Sequence, residues 1–240
     1  MLNWQEAKLI RKERKTQGTS SFFFEMLGHT VFDFEPGQFI TFDLPIHERK
    51  NKRLRSYSIA SEPNKSNIIE LSIVYVPDGL GTNFLFDEER CPIGSVLKYR
   101  GALGVFTLPR EALQHPIFFV CTGTGIAPFR SMIKYIQLHD VEFNEIHLIF
   151  GTRTKNDILY FDEMKKLGEE IENFHYHPVL SREEWDGHRG YVHAVYKELG
   201  KEMPDAHIML CGWRNMIDQA RIELKEMGYD KKQIHFELYG

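Results

Sequence analysis

The stretch from Phe118 to Met132, FFVCTGTGIAPFRSM, constrains the fold of this chain more than any other. It begins in an apolar, β-prone run, continues through the glycine turn Gly123-Thr124-Gly125, and ends in a helical pattern that reaches about Leu138. Pro128 suits the first turn of that helix, where its missing N–H costs nothing. Such a strand–turn–helix unit directs free backbone N–H groups at one point and can bind an anion. The turn lacks the third glycine of the common dinucleotide fingerprint, so a turn that binds nothing fits the pattern equally well.

The overall composition is that of a soluble globular protein. The 240 residues are 42% hydrophobic and 27% charged, enough for one large domain or two modest ones. A formal charge of −4 argues against a nucleic-acid-binding protein, which would usually be strongly basic. No apolar run reaches the roughly 18 residues of a membrane span, and the first 15 residues lack the apolar core of a signal peptide. These features predict a cytoplasmic location.

The three cysteines, Cys91, Cys121 and Cys211, are far apart in the sequence. There is no Cys-x-x-Cys pair, which argues against a zinc ribbon or a plant-type iron–sulfur cluster. The odd number also argues against a disulfide scaffold. The sequence therefore predicts no metal site.

The first hundred residues have the pattern of a β domain. Short runs rich in Phe, Ile, Val and Tyr are separated by Pro, Gly and Asn turns, which predicts a small antiparallel barrel or sandwich. A short helix is expected from Asn83 to Glu89. The predicted strands are Ser20–Leu27, Thr30–Phe34, Phe39–Leu44, Tyr57–Ala60, Ile68–Val76 and Val96–Arg100.

From Pro116 the pattern changes to an alternation of strands and helices, which predicts a doubly wound parallel sheet. Residues 108–115 form the expected linker, so the predicted domains are residues 1–108 and 109–240. The predicted strands are Ile117–Cys121, Ile146–Gly151, Phe174–Leu180, His207–Cys211 and Ile234–Leu238. The predicted helices are Pro128–Leu138, Leu159–Ile171, Val192–Leu199 and Asn215–Met227.

Two motifs of the β domain contain groups that suit a phosphorylated aromatic ligand. Arg55 supplies a fork of donors that matches a pyrophosphate, Tyr57 a flat face, and Ser58 a hydroxyl for a ring nitrogen. Gly81 and Thr82 precede the short helix and can present N–H groups to a phosphate. Taken alone, such residues more often form an ordinary loop, strand and helix cap.

The second domain carries three further candidate groups, each with a structural alternative. Ser181, Arg182, Arg189 and Tyr191 follow a strand end and suit a ribose 2′-phosphate and an adenine, and Arg153 can join them. Cys211, Gly212 and Met216 place a polarizable side chain at another strand end, although a buried cysteine is usually inert packing. Glu237 and Tyr239 stand near the end of the last strand, in a chain terminus whose apolar residues suggest docking.

In this order the motifs resemble the ferredoxin–NADP reductase family over nearly the whole chain. Thr122 to Ser131 is similar to the plant-type nicotinamide-side turn of that family, and Arg55-x-Tyr57-Ser58 is similar to its flavin motif. The resemblance also includes Pro36-Gly37-Gln38-Phe39, Ser181-Arg182-Glu183, Cys211-Gly212-x-x-x-Met216 and Glu237-x-Tyr239. In the plant-type relatives the chain ends on the tyrosine that corresponds to Tyr239, and its ring covers the flavin. Here Gly240 follows Tyr239, and this extra residue can loosen the stacking of the ring.

The resemblance implies an N-terminal, Greek-key FAD-binding barrel and a C-terminal NADP-binding α/β domain. On the flavin side it implies that Arg55, Gly81 and Thr82 hold the pyrophosphate, Tyr57 and Ser58 meet the flavin, and Ile73 and Val74 line the ring edge. On the nucleotide side it implies that Thr124 and Gly125 meet the nicotinamide half of NADP, and Thr122, Gly212 and Met216 are further predicted cofactor-binding residues. It implies that Ser181, Arg182, Arg189 and Tyr191 hold the 2′-phosphate and adenine, a site that Arg153 can join.

The reaction implied by the resemblance is hydride transfer from NADPH to FAD, followed by single-electron transfer to a ferredoxin or flavodoxin. It implies that Ser58, Cys211 and Glu237 surround the reacting atoms and that Tyr239 gates the flavin face. The basic loop Arg49 to Arg55 can dock an acidic electron carrier or can simply be solvated.

Other readings of the sequence remain open. A reductase component of an oxygenase, or a reductase of free flavins, would share this architecture. A non-catalytic flavin-binding electron-transfer subunit and a flavin-free binding module belong to other functional classes. The sequence does not decide the oligomeric state.

Overall fold

The structure, a computed structural model, describes residues 3–239 and divides into two compact units. One unit contains the chain up to Leu108 together with Ala127–His139, and the other contains Pro109–Ile126 and the residues from Asp140 onward. Gly240, whose position after Tyr239 departs from the family pattern, lies outside the described residues.

The first unit is built on a six-stranded antiparallel sheet with the strand order β4-β3-β6-β1-β2-β5. An antiparallel bridge between Ile59, just after β4, and Leu71 of β5 joins the two edges, so the sheet closes into the predicted barrel. The strands are β1 (Gln5–Arg14), β2 (Thr19–Met26), β3 (Phe39–Asp43), β4 (Leu54–Ser58), β5 (Ile68–Val74) and β6 (Val96–Leu103).

Two strand assignments in this unit differ from the sequence prediction. Strand β1 was not predicted because its charged residues hide the β pattern, and only Ala7 and Leu9 are fully buried. The predicted strand Thr30–Phe34 is wrong: this segment is not a strand, although Phe32 and Phe34 are buried in the barrel core. Their apolar side chains fill the barrel, while the backbone forms only isolated hydrogen bonds such as Phe32 N–H to Ser66 O at 3.0 Å.

The short helix of this unit, α1 (Leu80–Phe86), begins three residues before the predicted Asn83. Gly79 occupies its N-cap position with extended backbone, and the N–H of Asn83 donates to the carbonyl of Gly79 at 2.9 Å. The glycine-containing segment predicted to precede the helix therefore forms its first turn.

The second unit is built on a six-stranded parallel sheet, as predicted, with the strand order β10-β9-β8-β7-β11-β12. Successive strands move in one direction from β7 to β10, whereas β11 lies on the other side of β7. Ligands of open α/β sheets bind where the strand order reverses in this way, beyond the carboxyl ends of the strands. The strands are β7 (Pro116–Thr122), β8 (Glu145–Thr152), β9 (Phe174–Leu180), β10 (His188–Arg189), β11 (His207–Trp213) and β12 (Ile234–Tyr239).

Helices cover both faces of this sheet. Val195 of α4 and Ile217 of α5 belong to one buried cluster with Ile149 of β8, while Phe161 of α3 packs against Tyr176 on the opposite face. The two-residue strand β10 was not predicted because it is too short for a periodic pattern. The helices of this unit are α3 (Phe161–Glu170), α4 (Val192–Glu202) and α5 (Arg214–Glu226), whereas helix α2 (Ile126–Leu138) belongs, from Ala127 onward, to the first unit. No helix within residues 3–239 combines the length and apolar character that a membrane crossing requires.

Candidate functional site

In the first unit, the side chain of Arg55 lies directly against helix α1. A Cβ atom added to Gly81 would approach Cγ of Arg55 to 2.9 Å, so only glycine leaves room for this side chain. Nη1 of Arg55 donates to the carbonyls of Leu54 at 2.7 Å and Lys52 at 3.1 Å. The structure thus brings a guanidinium beside the first turn of a helix, a combination that suits a pyrophosphate.

Tyr57 and Ser58 form the end of β4. Tyr57 pairs with Ile40 of β3, and burial raises the pKa of its phenol to about 12 despite the opposing charge of Arg55. The phenol therefore stays protonated at neutral pH and offers an uncharged ring and a hydroxyl. Ser58 is 6% exposed.

The other predicted flavin-side residues contribute mainly backbone. The side chain of Ile73 is buried in the barrel core, so its side chain does not line a surface, whereas Val74 is half-buried. The hydroxyl of Thr82 donates to the carbonyl of Val76 at 2.9 Å and accepts from the N–H of the same residue at 3.1 Å. Thr82 therefore holds the preceding loop with its hydroxyl, which is the structural alternative expected from the sequence.

In the second unit, the glycine turn after β7 meets the end of β11 backbone to backbone. A Cβ atom on Gly125 would overlap the carbonyl group of Cys211, so the close approach requires glycine. Thr122 accepts a hydrogen bond from the N–H of Trp213 at 3.4 Å and contacts Gly212. The two motifs, 86 residues apart from Gly125 to Cys211, therefore join at the point where the strand order reverses.

Trp213 is a residue of this region that the sequence analysis missed. Its side chain is 59% exposed, and its indole Nε1 lies 3.8 Å from the position of a Cβ atom on Gly123. The available signal was an aromatic residue directly after the Cys-Gly pair at a strand end. A large exposed aromatic beside a glycine turn offers a flat surface to a ring-shaped ligand.

The C-terminal strand places its predicted residues next to those of β11. Cys211 is in register with Glu237, and Trp213 with Tyr239. Burial raises the pKa of the fully buried Cys211 thiol well above its usual value, and the charge of Glu237 raises it further. The thiol is therefore neutral at pH 7, and Glu237 is half-buried beside it.

Met216 lies in the apolar core of the second unit, where it is 8% exposed. The structure shows it packing under the β11–α5 junction. Met216 can therefore contribute to the predicted cofactor site only indirectly, by holding this junction in place.

Backbone hydrogen bonds hold Arg153 and Arg182 at the same edge of the sheet. The N–H of Ser181 donates to the carbonyl of Thr152 at 3.0 Å, and the N–H of Arg182 donates to the carbonyl of Arg153 at 2.9 Å. Both arginine side chains are exposed and form no ion pair with another residue in the part of the chain that the structure describes. Two cationic side chains are thus available to an anion at the ends of β8 and β9.

Arg189 and Tyr191 stand beside this edge but differ in availability. Arg189 is in register with Leu180, and its guanidinium forms an ion pair with Glu184 and donates to the carbonyl of Trp185 at 3.1 Å. Tyr191 is 72% exposed at the N-cap of α4. An anion bound here would compete with Glu184 for Arg189, while the ring of Tyr191 is open to stacking.

Two family models match successive parts of the chain, and known relatives match it over most of its length. The oxidoreductase FAD-binding domain matches residues 6–108, and the oxidoreductase NAD-binding domain matches residues 119–221. The chain is 33% identical to ferredoxin–NADP reductase B of Sorangium cellulosum, over 98% of this chain and 97% of that protein. It is 32% identical to the anthranilate 1,2-dioxygenase electron transfer component of Acinetobacter baylyi, over 86% of this chain but 58% of that longer protein.

Solved structures show the same two-domain fold. The ferredoxin–NADP reductase of Neisseria gonorrhoeae, solved with bound FAD and NADP, superposes with a TM-score of 0.83 at 23% identity and covers 99% of both chains. The ferredoxin–NADP reductase of Plasmodium falciparum superposes with a TM-score of 0.80 at 21% identity, over 99% of this chain and 97% of that chain. At these identities the likeness describes the fold.

Proposed function

Because this chain belongs to the ferredoxin–NADP reductase family and is an oxidoreductase with FAD- and NAD(P)-binding domains, we propose that it transfers electrons from NADPH to a ferredoxin or flavodoxin. The observation that carries the proposal is the contact of Gly125 with Cys211 at the reversal of strand order. It joins the two motifs that the family resemblance implies for the nicotinamide region. We propose residues 1–108 as the flavin domain and 109–240 as the nucleotide domain.

The flavin side of the proposal rests on the first unit. Arg55 and the backbone at Gly81 would hold the FAD pyrophosphate, since they lie in contact and need no rearrangement to act together. Tyr57 would pack on the flavin with a protonated phenol, and Ser58 would donate a hydroxyl. The backbone of Ile73 and the side chain of Val74 would follow the ring edge.

The nucleotide side of the proposal rests on the second unit. Thr124 and Gly125 would meet the nicotinamide half, because the glycine turn lets a ligand approach the main chain. Arg182 and Arg153 would bind the 2′-phosphate with guanidinium groups that are exposed and not engaged in ion pairs. Tyr191 would stack on the adenine, and Ser181 and Arg189 would complete the site.

When bound, FAD and NADPH would supply the redox chemistry itself, which is hydride transfer to the flavin and its release of single electrons. The protein's part is to orient the reactants and exclude water. We assign Cys211 a packing role against the nicotinamide ring once Tyr239, which hydrogen-bonds the thiol, has moved aside; the thiol stays neutral because it is fully buried and its pKa is raised. Ser58 and Glu237 are the proposed proton-handling groups, and Tyr239 is the proposed gate.

The electron carrier would dock on the basic loop of the first unit. Arg49, Lys50 and Lys52 are exposed, whereas Arg53 donates to Asp43 at 2.7 Å and is half-buried. Only part of this loop is therefore free to meet an acidic partner. We expect docking to weaken as salt rises, because exposed charges are screened over about 10 Å at 0.1 M. The cytoplasmic location stays a prediction.

The 2′-phosphate assignment is tested by comparing NADPH with NADH as reductant. One or two charge-assisted bonds of roughly 1.5–3 kcal/mol each imply a tenfold to several-hundredfold preference for NADPH in kcat/KM. Arg182→Ala should lower kcat/KM for NADPH and leave that for NADH nearly unchanged. Arg11→Ala, at a side chain 57% exposed in the first unit, is the matched control and should change neither value. Equal use of both reductants by the wild type would contradict the assignment.

A second candidate function is the reductase component of an oxygenase, which the 32% identity to the anthranilate dioxygenase component supports. Stopped-flow measurements of enzyme reduction by NADPH and by NADH, followed by turnover assays with ferredoxins, flavodoxins and free flavins as electron acceptors, separate the candidate functions. Rapid turnover with a ferredoxin and retained FAD favours the main proposal. Turnover only with free flavin favours a flavin reductase, and no turnover with any acceptor favours a non-catalytic subunit.

A further inference from the structure

Three side chains that commonly bind metals meet at the amino ends of strands β8 and β9. Glu145 and His147 are two residues apart on β8, so they point to the same face of the sheet. His175 of β9 is in register with His147 and joins them on that face. The carboxylate and imidazole ligand atoms of these three residues all lie within 4.8 Å of one another. They stand at the opposite ends of the strands from the glycine turn and the arginine pair.

The distances in this cluster are close to those of a metal site. Oε1 of Glu145 lies 3.1 Å from Nε2 of His147 and 3.0 Å from Nε2 of His175. In a tetrahedral zinc site, bonds of about 2.0–2.1 Å separate the ligand atoms by roughly 3.4 Å. Small side-chain rotations would therefore bring the three atoms around one ion.

We propose that Glu145, His147 and His175 bind a divalent transition-metal ion such as Zn²⁺, through one carboxylate oxygen and two imidazole nitrogens. A set of two histidines and one glutamate is an established donor set for zinc that leaves a fourth position for water. Neutral imidazole and carboxylate favour Zn²⁺ over Mg²⁺, which prefers six oxygen ligands. The ion would link two neighbouring strands of the nucleotide domain.

A chain of histidines behind the cluster is arranged as outer partners of such a site. Nδ1 of His147 lies 3.0 Å from Nε2 of His177, and Nδ1 of His177 lies 3.3 Å from Nε2 of His188. With a metal on Nε2, His147 carries its proton on Nδ1 and donates it to His177, which in turn donates to His188. Metal-binding histidines almost always donate their second N–H in this way, which fixes the ring and its tautomer.

The burial of the three residues gives the ion both a fixed ligand and an open side. The side chain of His147 is 5% exposed and packs edge-on against Phe118, with ring centroids 5.3 Å apart. The side chains of Glu145 and His175 are 29% and 41% exposed, so an ion can reach the site from solvent. The competing arrangement is a carboxylate that only accepts hydrogen bonds from two imidazoles, and it would bind no metal.

Calorimetric titration of the FAD-loaded protein with ZnCl₂ at pH 7.5, after dialysis against a chelator, tests the proposal. We expect one equivalent of Zn²⁺ to bind and Mg²⁺ not to compete. His175→Ala and Glu145→Gln should each weaken zinc binding at least tenfold, roughly the size of effect known even for outer partners of metal ligands. His139→Ala, at an exposed histidine in the first unit, is the matched control and should bind zinc like the wild type.

Thermal unfolding with and without zinc gives a second readout that does not depend on catalysis. Zinc should raise the Tm of the wild type and of His139→Ala, because an ion that binds only the folded state stabilises it. It should not raise the Tm of Glu145→Gln, a nearly isosteric variant that keeps the fold. The proposal is overturned if the wild type binds no zinc, or if Glu145→Gln and His175→Ala bind it as tightly as the wild type. Since these measurements do not use NADPH or an electron carrier, their outcome is independent of the proposed reductase activity.

Discussion

The ion pair between Glu70 and Arg130 carries the sharpest prediction about the stability of the first unit. Nη1 of Arg130, in helix α2, donates to Oε2 of Glu70 at 3.0 Å and to the carbonyl of Ala60 at 2.8 Å. The Glu70 and Arg130 side chains are only 8% and 13% exposed, and Oε1 of Glu70 accepts from the hydroxyl of Ser21 at 2.5 Å. The arginine of the PFRS segment thus neutralises a buried carboxylate of the barrel.

Arg130→Ala would remove this cation from the buried carboxylate. Breaking a buried pair in this way costs about 3–5 kcal/mol, mainly because the remaining charge is uncompensated. That loss is a large part of the roughly 5–15 kcal/mol by which a typical domain is stable. Urea denaturation at saturating FAD, followed by circular dichroism, should show the transition of the variant at a much lower urea concentration.

Two further variants separate the charge effect from a general packing effect. Lys165→Ala removes one partner of the exposed Lys165–Glu169 pair and should change the unfolding free energy by at most about 0.5 kcal/mol. Adding Glu70→Gln to Arg130→Ala should recover part of the loss, because it removes the uncompensated charge. A cost below about 1 kcal/mol for Arg130→Ala, or a double variant less stable than the single one, would refute this reasoning.

Three other predictions follow from contacts in the second unit. Gly125→Ala should abolish tight NADP binding and lower the Tm. The added Cβ atom would overlap the backbone carbonyl of Cys211, which cannot rotate away. Unchanged NADP binding in a calorimetric titration would contradict this prediction. Trp213→Ala should weaken NADP binding up to about tenfold without lowering the Tm, because stacking on an exposed ring contributes roughly 0.5–1.5 kcal/mol. If the variant and the wild type bind NADP with the same Kd, the Trp213 ring does not contact the ligand. Desolvation would raise the pKa of Glu223, but hydrogen bonds from Lys197, Tyr196 and Gln219 together outweigh it and hold the pKa at about 2. This depressed pKa stabilises the fold above pH 4.5, and the contribution is lost as the pH falls toward 2. Glu223→Gln should therefore flatten the acid side of a Tm–pH profile, whereas an unchanged slope would assign the acid sensitivity to other groups.

Several features of the fold were readable from local pattern because they depend on near neighbours in the chain. The alternation of apolar runs and helical stretches after Pro116 predicted the parallel sheet, and strand Phe174–Leu180 has the predicted bounds. Strand β1 was missed because an antiparallel strand with one solvent-exposed face and mixed charges has a weak apolar pattern. The predicted strand Thr30–Phe34 is wrong because Phe32 and Phe34 fill the core without pairing their backbone in the sheet.

The sequence predicted which residues belong to the candidate site better than it predicted their contacts and burial. The resemblance identified Arg55, Gly125 and Cys211 as site residues. It did not show that Arg55 lies against Gly81, or that Gly125 lies against Cys211, each pair being distant in the sequence. It could not show that Met216 and the side chain of Ile73 are buried in apolar cores, because burial depends on the packing of several elements. It also missed Trp213, whose position beside Gly123 exists only in the folded chain.

By itself, the sequence determined the class of each domain, the family, and the cofactors, because periodicity and ordered motifs are properties of the linear chain. Only the tertiary structure decided which residues meet across strands. The register of β8 with β9 sets His175 beside His147, although the expectation from the cysteines was that the chain has no metal site. The physical reason is that a ligand cluster or a buried ion pair needs side chains from distant segments within a few ångströms, and only strand register and the packing of helices fix those distances.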